Sequence, residues 1–171
     1  MACKWTFRKR VSLASDANLQ KLVQFYVWET PAPDTSQKGT TFESLGWKGG
    51  SFNTLHAEMR KKSGFPNKRW IATTAGEVET RLSELNRLNG YDCSFEFAVH
   101  TVKSGLNKTE ALFYFIRNAF AHGGFKASVY KGEKYYVFEN RQDQQLKGRA
   151  ILKESTLLYW RSLLIKPRGK Q

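Results

Sequence analysis

Apolar residues recur at helical spacing along most of this chain, and polar or helix-breaking residues separate the stretches. Leu19, Leu22, Val23, Tyr26 and Val27 form one such face behind Ser15 and Asp16, either of which can cap a helix, and Pro31 and Pro33 end it. From residue 34 to 50 the chain turns to Thr, Ser and Gly with isolated Phe42, Leu45 and Trp47, a pattern that predicts an irregular loop. Ser51 opens a short helix carrying Phe52, Leu55 and Met59, which Gly64 and Pro66 break. Thr73 or Thr74 precedes Val78, Leu82, Leu85 and Leu88, a second long helical pattern stopped by Asn89 and Gly90. Asp92 then caps a stretch with Phe95, Val99 and Val102 that closes at Gly105, and Asn107 or Thr109 begins the most apolar helix of the chain.

Past Gly123 and Gly124 the period changes. Ser128 to Lys131, a turn at Gly132, and Lys134 to Phe138 predict a β-hairpin, with a short third strand around Arg149 to Leu152. Ser155 with Leu157, Leu158, Trp160, Leu163 and Leu164 predicts a final amphipathic helix. The reading is mainly α: one domain over 1–171, a helical bundle with a small β-hairpin region at 126–152 before the C-terminal helix. A basic N-terminal segment (1–14) and a basic tail (166–171) flank it.

Composition changes this picture in one respect. The 171 residues, 40% hydrophobic and 14% aromatic, suffice for a real core, but 28 Lys and Arg against 15 Asp and Glu leave a net charge of +13. Such a surplus attracts polyanions, and because it is interleaved with aromatics it decorates a folded surface. Cys3 and Cys93 are too few and too far apart for a disulfide framework or a paired-Cys metal site. With no apolar run of membrane-spanning length and no apolar N-terminal leader, the expectation is a cytoplasmic protein without a membrane partner.

The candidate chemistry lies in the run from Leu112 to Gly124. Residues 112, 115, 116, 119 and 120 make a buried stripe, leaving Arg117, Asn118, Ala121 and His122 on the other side. Asn118 and His122 are four residues apart and face the same way, and Arg117 has the reach to converge on them. An imidazole changes charge near neutral pH, so His122 can give or take a proton, while Arg117 can offer paired N–H donors to a phosphate.

This segment resembles the motif of the HEPN superfamily, many of whose members are metal-independent ribonucleases of toxin and antiphage defence systems. Arg117, Asn118 and His122 match its Arg, polar residue and His, with small Ala121 and Gly123 alongside. The order of helices, and a hairpin followed by a Leu- and Trp-rich helix, also looks like such proteins, loosely from Asp16 to Ile165 with the loop from Asp34 to Gly50 and the basic N-terminus outside the likeness. The resemblance implies attack of a ribose 2′-hydroxyl on the adjacent phosphate to leave a 2′,3′-cyclic phosphate, with no cofactor or metal. It further implies Arg117 and His122 as catalytic residues, Asn118 as an orienting one, and a homodimer whose two motif helices share a composite site. An antitoxin or defence-system protein is then a possible partner. The alternative function is a non-catalytic RNA- or nucleotide-binding module that assists an effector.

Other residues carry weaker signals. Arg60, Lys61, Lys62, Lys68 and Arg69 with Trp70 combine cations and an indole, as a single-stranded RNA track requires, although a charge run is by default a solvated face. His56 and His100 lie beside apolar residues without metal-ligand spacing and are expected at the surface or core edge. Tyr130, Tyr135 and Tyr136 are expected to pack across the hairpin and not to stack on bases.

Overall fold

The computed structural model describes residues 6–7, 12–63, 65, 69–90 and 95–166. It corrects the expectation of a mainly helical bundle. A six-stranded mixed sheet runs through the molecule, in the order β1 (Thr6–Phe7), β4 (Phe125–Tyr130), β5 (Glu133–Gln142), β6 (Gln145–Lys153), β3 (Phe97–Thr101), β2 (Trp70–Thr73). The expected hairpin at 126–152 is the core of an antiparallel meander, β4–β5–β6, not an insertion. Its first turn falls where Gly132 led one to expect, with Lys131 and Gly132 both at positive φ.

Both faces of the sheet are covered. On one lie α4 (Lys108–Ala121) and α5 (Glu154–Ile165), backed by α1 (Ala17–Val23) and α2 (Ser51–Ser63); on the other lies α3 (Val78–Glu84). The period-two alternation of β5 distributes its side chains accordingly. Tyr136 and Phe138 join the larger cluster with Leu112, Phe113, Ile116 and Trp160, while Tyr135 and Val137 join Val78, Leu82, Phe97 and Val99 under α3.

The residues expected to form a helix from Asp92 to Gly105 make strand β3 instead. Phe97, Ala98, Val99 and His100 are all fully buried, because β3 lies inside the sheet with helices above and below. A strand buried on both faces loses its alternation and reads as a continuous apolar run, which Phe95, Val99 and Val102 can imitate as a helical stripe. Strand β2, α3 and β3 form a parallel crossover unit, with Trp70 opposite Ala98 and Thr73 opposite Thr101. Helix α3 is shorter than its pattern: the chain leaves it at Leu85 and passes through positive φ at Asn86.

Helix α4 forms where the sequence places it. Asn107 accepts from the backbone N–H groups of Thr109 and Glu110, and the Glu110 carboxylate accepts from the Asn107 N–H, a reciprocal capping box. Its apolar stripe, Leu112, Phe113, Phe115, Ile116, Ala119 and Phe120, is buried. The helix stops at His122, whose N–H donates to the Asn118 carbonyl, and Gly123 takes the positive φ that ends it. Helix α1 continues into a π turn over Gln24–Trp28, and the extra residue turns both Phe25 and Tyr26 into the core, where the Tyr26 hydroxyl donates to the Leu157 carbonyl. Among the described residues no helix is long and apolar enough to cross a membrane.

Candidate functional site: a cleft between α4 and the sheet

A cleft of about 800 Å³ opens between the C-terminal half of α4 and the ends of β3, β5 and β6. Tyr114, Asn118 and His122 enter it from α4 at positions i, i+4 and i+8, one straight row on a single helix face. Opposite them stand Asn140 and Gln142 of β5 and Lys147 of β6, with Thr101 and Lys103 at the end of β3. Asn140 clamps the helix to the sheet: its amide donates to the Phe115 carbonyl at 2.9 Å.

Two glycines allow the helix to approach so closely. A Cβ on Gly148 would lie 2.6 Å from the Phe115 ring, and one on Gly124 would lie 2.2 Å from the Glu139 carbonyl oxygen. The chain after α4 is thereby locked to β5, since Glu139 N–H donates to the Gly124 carbonyl at 2.8 Å. His122, two residues earlier, is held beside the strand end while its own side chain stays exposed.

The electrostatics favour an anionic ligand. Glu139 borders the cleft, but strand alternation turns its carboxylate to the α3 face, where Arg149 binds it at 2.7 Å and donates onward to the Arg87 and Leu88 carbonyls. Lys103 and Lys147 stand around the rim, and Arg141, which also lines it, pairs with Glu139 at 3.6 Å. Lys103 Nζ lies 5.2 Å from the centre of the Tyr114 ring.

The structure brings together two of the three motif residues. Asn118 and His122 share the cleft wall, whereas Arg117 does not line it. His122 lies five positions after Arg117, roughly 140° around an ideal helix, so the two point to different sides. Arg117 touches the site through Asn118, its Nη1 donating to Oδ1 at 3.0 Å, and its Nε is buried without a hydrogen-bond partner among the described residues.

The second basic group divides differently. Trp70 is 1% exposed, stacked with His56 and Trp160 in the core, so it offers no face to a base and is withdrawn from the RNA-contacting set. Its indole is consumed by packing because it begins β2, under α2 and α5. Arg69 packs its guanidinium 3.9 Å above the Phe95 ring, Arg60 is half-buried, and Lys61 is exposed. Lys62 belongs to α2, and Lys68 and both cysteines lie outside the described residues. His100, expected at the surface or core edge, is fully buried. Tyr135 and Tyr136 pack in the two cores as expected.

Sequence reasoning missed Tyr114, Lys103, Asn140 and Lys147 as cleft residues. Tyr114 was visible as the residue one turn before Asn118; the others join the site only through the sheet. Among the described residues no group of three or more His, Cys, Asp or Glu side chains is placed to hold a metal ion. Compared with known protein families, with curated proteins and with solved structures, the chain matches none.

Proposed function

We propose that this protein binds single-stranded RNA in the α4 cleft and cleaves it there, with His122 as a proton-transfer group. The observation that carries the reading is the row Tyr114–Asn118–His122 facing a cleft rimmed by Lys103, Lys147 and Arg141, on a chain with a net charge of +13. The resemblance of the Arg117–His122 segment to HEPN ribonucleases supplies the reaction type, although that likeness does not extend to a helical-bundle fold.

In this reaction the 2′-oxygen forms a bond to phosphorus and the bond to the 5′-oxygen breaks. One proton leaves the 2′-hydroxyl and one reaches the departing 5′-oxygen. A single imidazole can serve one transfer at a time, so a second copy of the chain, placing its own His122 across the scissile phosphate, supplies the other. The setting is a reducing cytoplasm, and a protein that restrains such a nuclease is part of the same reading.

The second reading is binding without cleavage, favoured by the place of Arg117 off the cleft wall. One experiment separates them. Purified protein is mixed with RNA in EDTA, and the products are examined for 2′,3′-cyclic phosphate ends. Cleavage by the wild type, lost by a factor of about 10² to 10⁴ in His122→Ala, supports the nuclease. RNA that is bound but left intact assigns the protein to the binding class, and absence of RNA binding at low salt rejects both.

A further inference from the structure

The two amides of the cleft are held in opposite orientations. A guanidinium has only donors, so Arg117 Nη1, 3.0 Å from Asn118, meets it through the carbonyl oxygen Oδ1. That contact fixes the flip of the Asn118 amide and leaves Nδ2 as a donor in the cleft wall. Asn140 is fixed the other way. Its Nδ2 donates to the Phe115 carbonyl, a pure acceptor, which leaves Oδ1 as an acceptor. Among the described residues nothing accepts from Asn118 Nδ2 and nothing donates to Asn140 Oδ1.

The cleft therefore presents one oriented donor and one oriented acceptor, on facing elements, with the Tyr114 ring one turn along the helix from the donor. Its volume of about 800 Å³ falls inside the roughly 300–1,000 Å³ of sites that enclose a small ligand. Every nucleobase carries a donor next to an acceptor on its pairing edge, an amino donor beside a ring-nitrogen acceptor in A and C and a ring N–H donor beside a carbonyl acceptor in G and U. A donor and an acceptor fixed in place therefore suit one of these two orders better than the other. In a duplex that edge is occupied; in an unpaired strand it is free to be read.

We infer that Asn118 and Asn140 read the pairing edge of one unpaired nucleobase, and that Arg117 is a positioning residue that locks Asn118 in its reading orientation and touches no phosphate. This rests on the RNA reading above, and departs from it in the role given to Arg117. A phosphate-binding arginine would stand on the cleft wall with its donors open. Arg117 stands off the wall with one donor spent on Asn118.

The test is fluorescence anisotropy with labelled short oligonucleotides of A, C or U and a hairpin duplex, over a range of salt. Wild type is expected to separate A and C from U, in one direction or the other, by roughly tenfold or more and to bind the duplex more weakly. Arg117→Met, which keeps the bulk but removes the donors, is expected to erase the preference while leaving the slope of log affinity against log salt unchanged. A slope reduced by about 0.7, the signature of one lost phosphate contact on a single strand, overturns the proposal. Asn118→Asp keeps the side chain's shape and its contact with Arg117 but replaces the donor by an acceptor. If it folds, as its melting curve will report, and still prefers the same base, the proposal is likewise overturned. Binding of RNA without any base preference by the wild type overturns this inference alone, whereas no binding at all removes the RNA reading with it.

Discussion

The indole N–H of Trp70 donates to Nε2 of His100 at 3.1 Å, deep between the sheet and α2. On the other side of the imidazole, Nδ1 lies 3.1 Å from the Thr101 carbonyl. An indole nitrogen only donates and a carbonyl only accepts, so the ring is neutral with its proton on Nδ1. A second proton on Nε2 would confront the indole N–H. Burial pushes the His100 pKa from 6.5 down to about 4; the nearby Lys108 adds to the lowering, and the Thr101 carbonyl works against it.

A pH dependence of stability follows. The unfolded chain takes up this proton near pH 6.5, whereas the folded protein does not until about pH 4. Between those values the unfolded state binds more protons, so stability is complete above about 6.5 and falls as the pH drops toward 4. At about 1.4 kcal/mol per unit the loss reaches about 3 kcal/mol. Urea denaturation of wild type and His100→Gln across this window is the check. The variant, whose amide can serve both neighbours without titrating, should show a shallower decline, and parallel profiles would contradict the assignment.

The glycines at the base of the cleft give a second prediction. Gly148→Ala drives a methyl group into the Phe115 ring, which can move a little, so a cost of about 1–3 kcal/mol is expected. Gly124→Ala meets the Glu139 carbonyl, which is backbone and cannot swing aside, so its cost should be the larger. Thermal melts of the two variants decide the order. A reversed order would mean that the α4–β5 junction is softer than its hydrogen bonds imply.

Which parts of this arrangement are legible in the sequence depends on how each element meets its neighbours. Helix α4 announces itself through Asn107, Glu110 and a one-sided stripe, all local features, and the hairpin turn through Gly132. Strand β3 is short and enclosed on both faces, so Phe97, Ala98, Val99 and His100 carry no polar alternation to mark it, and the edge strand β2 has only four residues, Trp70 buried and the other three half-buried. That one omission turns a three-layer sheet into an apparent helical bundle. It also misplaces Trp70, which looks available for stacking beside Arg69 until the strand that buries it is known. The candidate site divides along the same line: Asn118 and His122 belong to one helix face, while Asn140 and Lys147 reach them only because β5 and β6 pass beneath α4.

A charged staple joins three elements on the helical side. Lys134 of β5 bridges Asp16, which caps α1, and Glu154 at the start of α5, the latter at 3.0 Å. Glu154 also accepts from Asn18 at 2.9 Å and from the Tyr136 hydroxyl at 2.8 Å. All three charged groups are mostly shielded, so Lys134→Met would leave two carboxylates facing each other without their cation. A loss of about 3 kcal/mol is expected. Adding Glu154→Gln should restore part of it, and chemical denaturation of the single and double variants measures the recovery. Equal stability of the two would show that repulsion between the carboxylates is not the cause.

The rim cations make the last prediction. If RNA lies along the cleft, Lys103 and Lys147 neutralise backbone phosphates, and each alanine substitution should lower the slope of log affinity against log salt by about 0.7, the value for one contact on a single strand. Base preference should survive, because phosphate contacts position a strand without reading it. Lys38, which pairs with Glu29 at 3.4 Å outside the cleft, is the control, and its substitution should leave the slope alone. Salt titrations of the three variants against one oligonucleotide distinguish the cases. Equal changes at all three positions would mean that the +13 charge attracts RNA diffusely, and the cleft would then lose its claim to be where the strand lies.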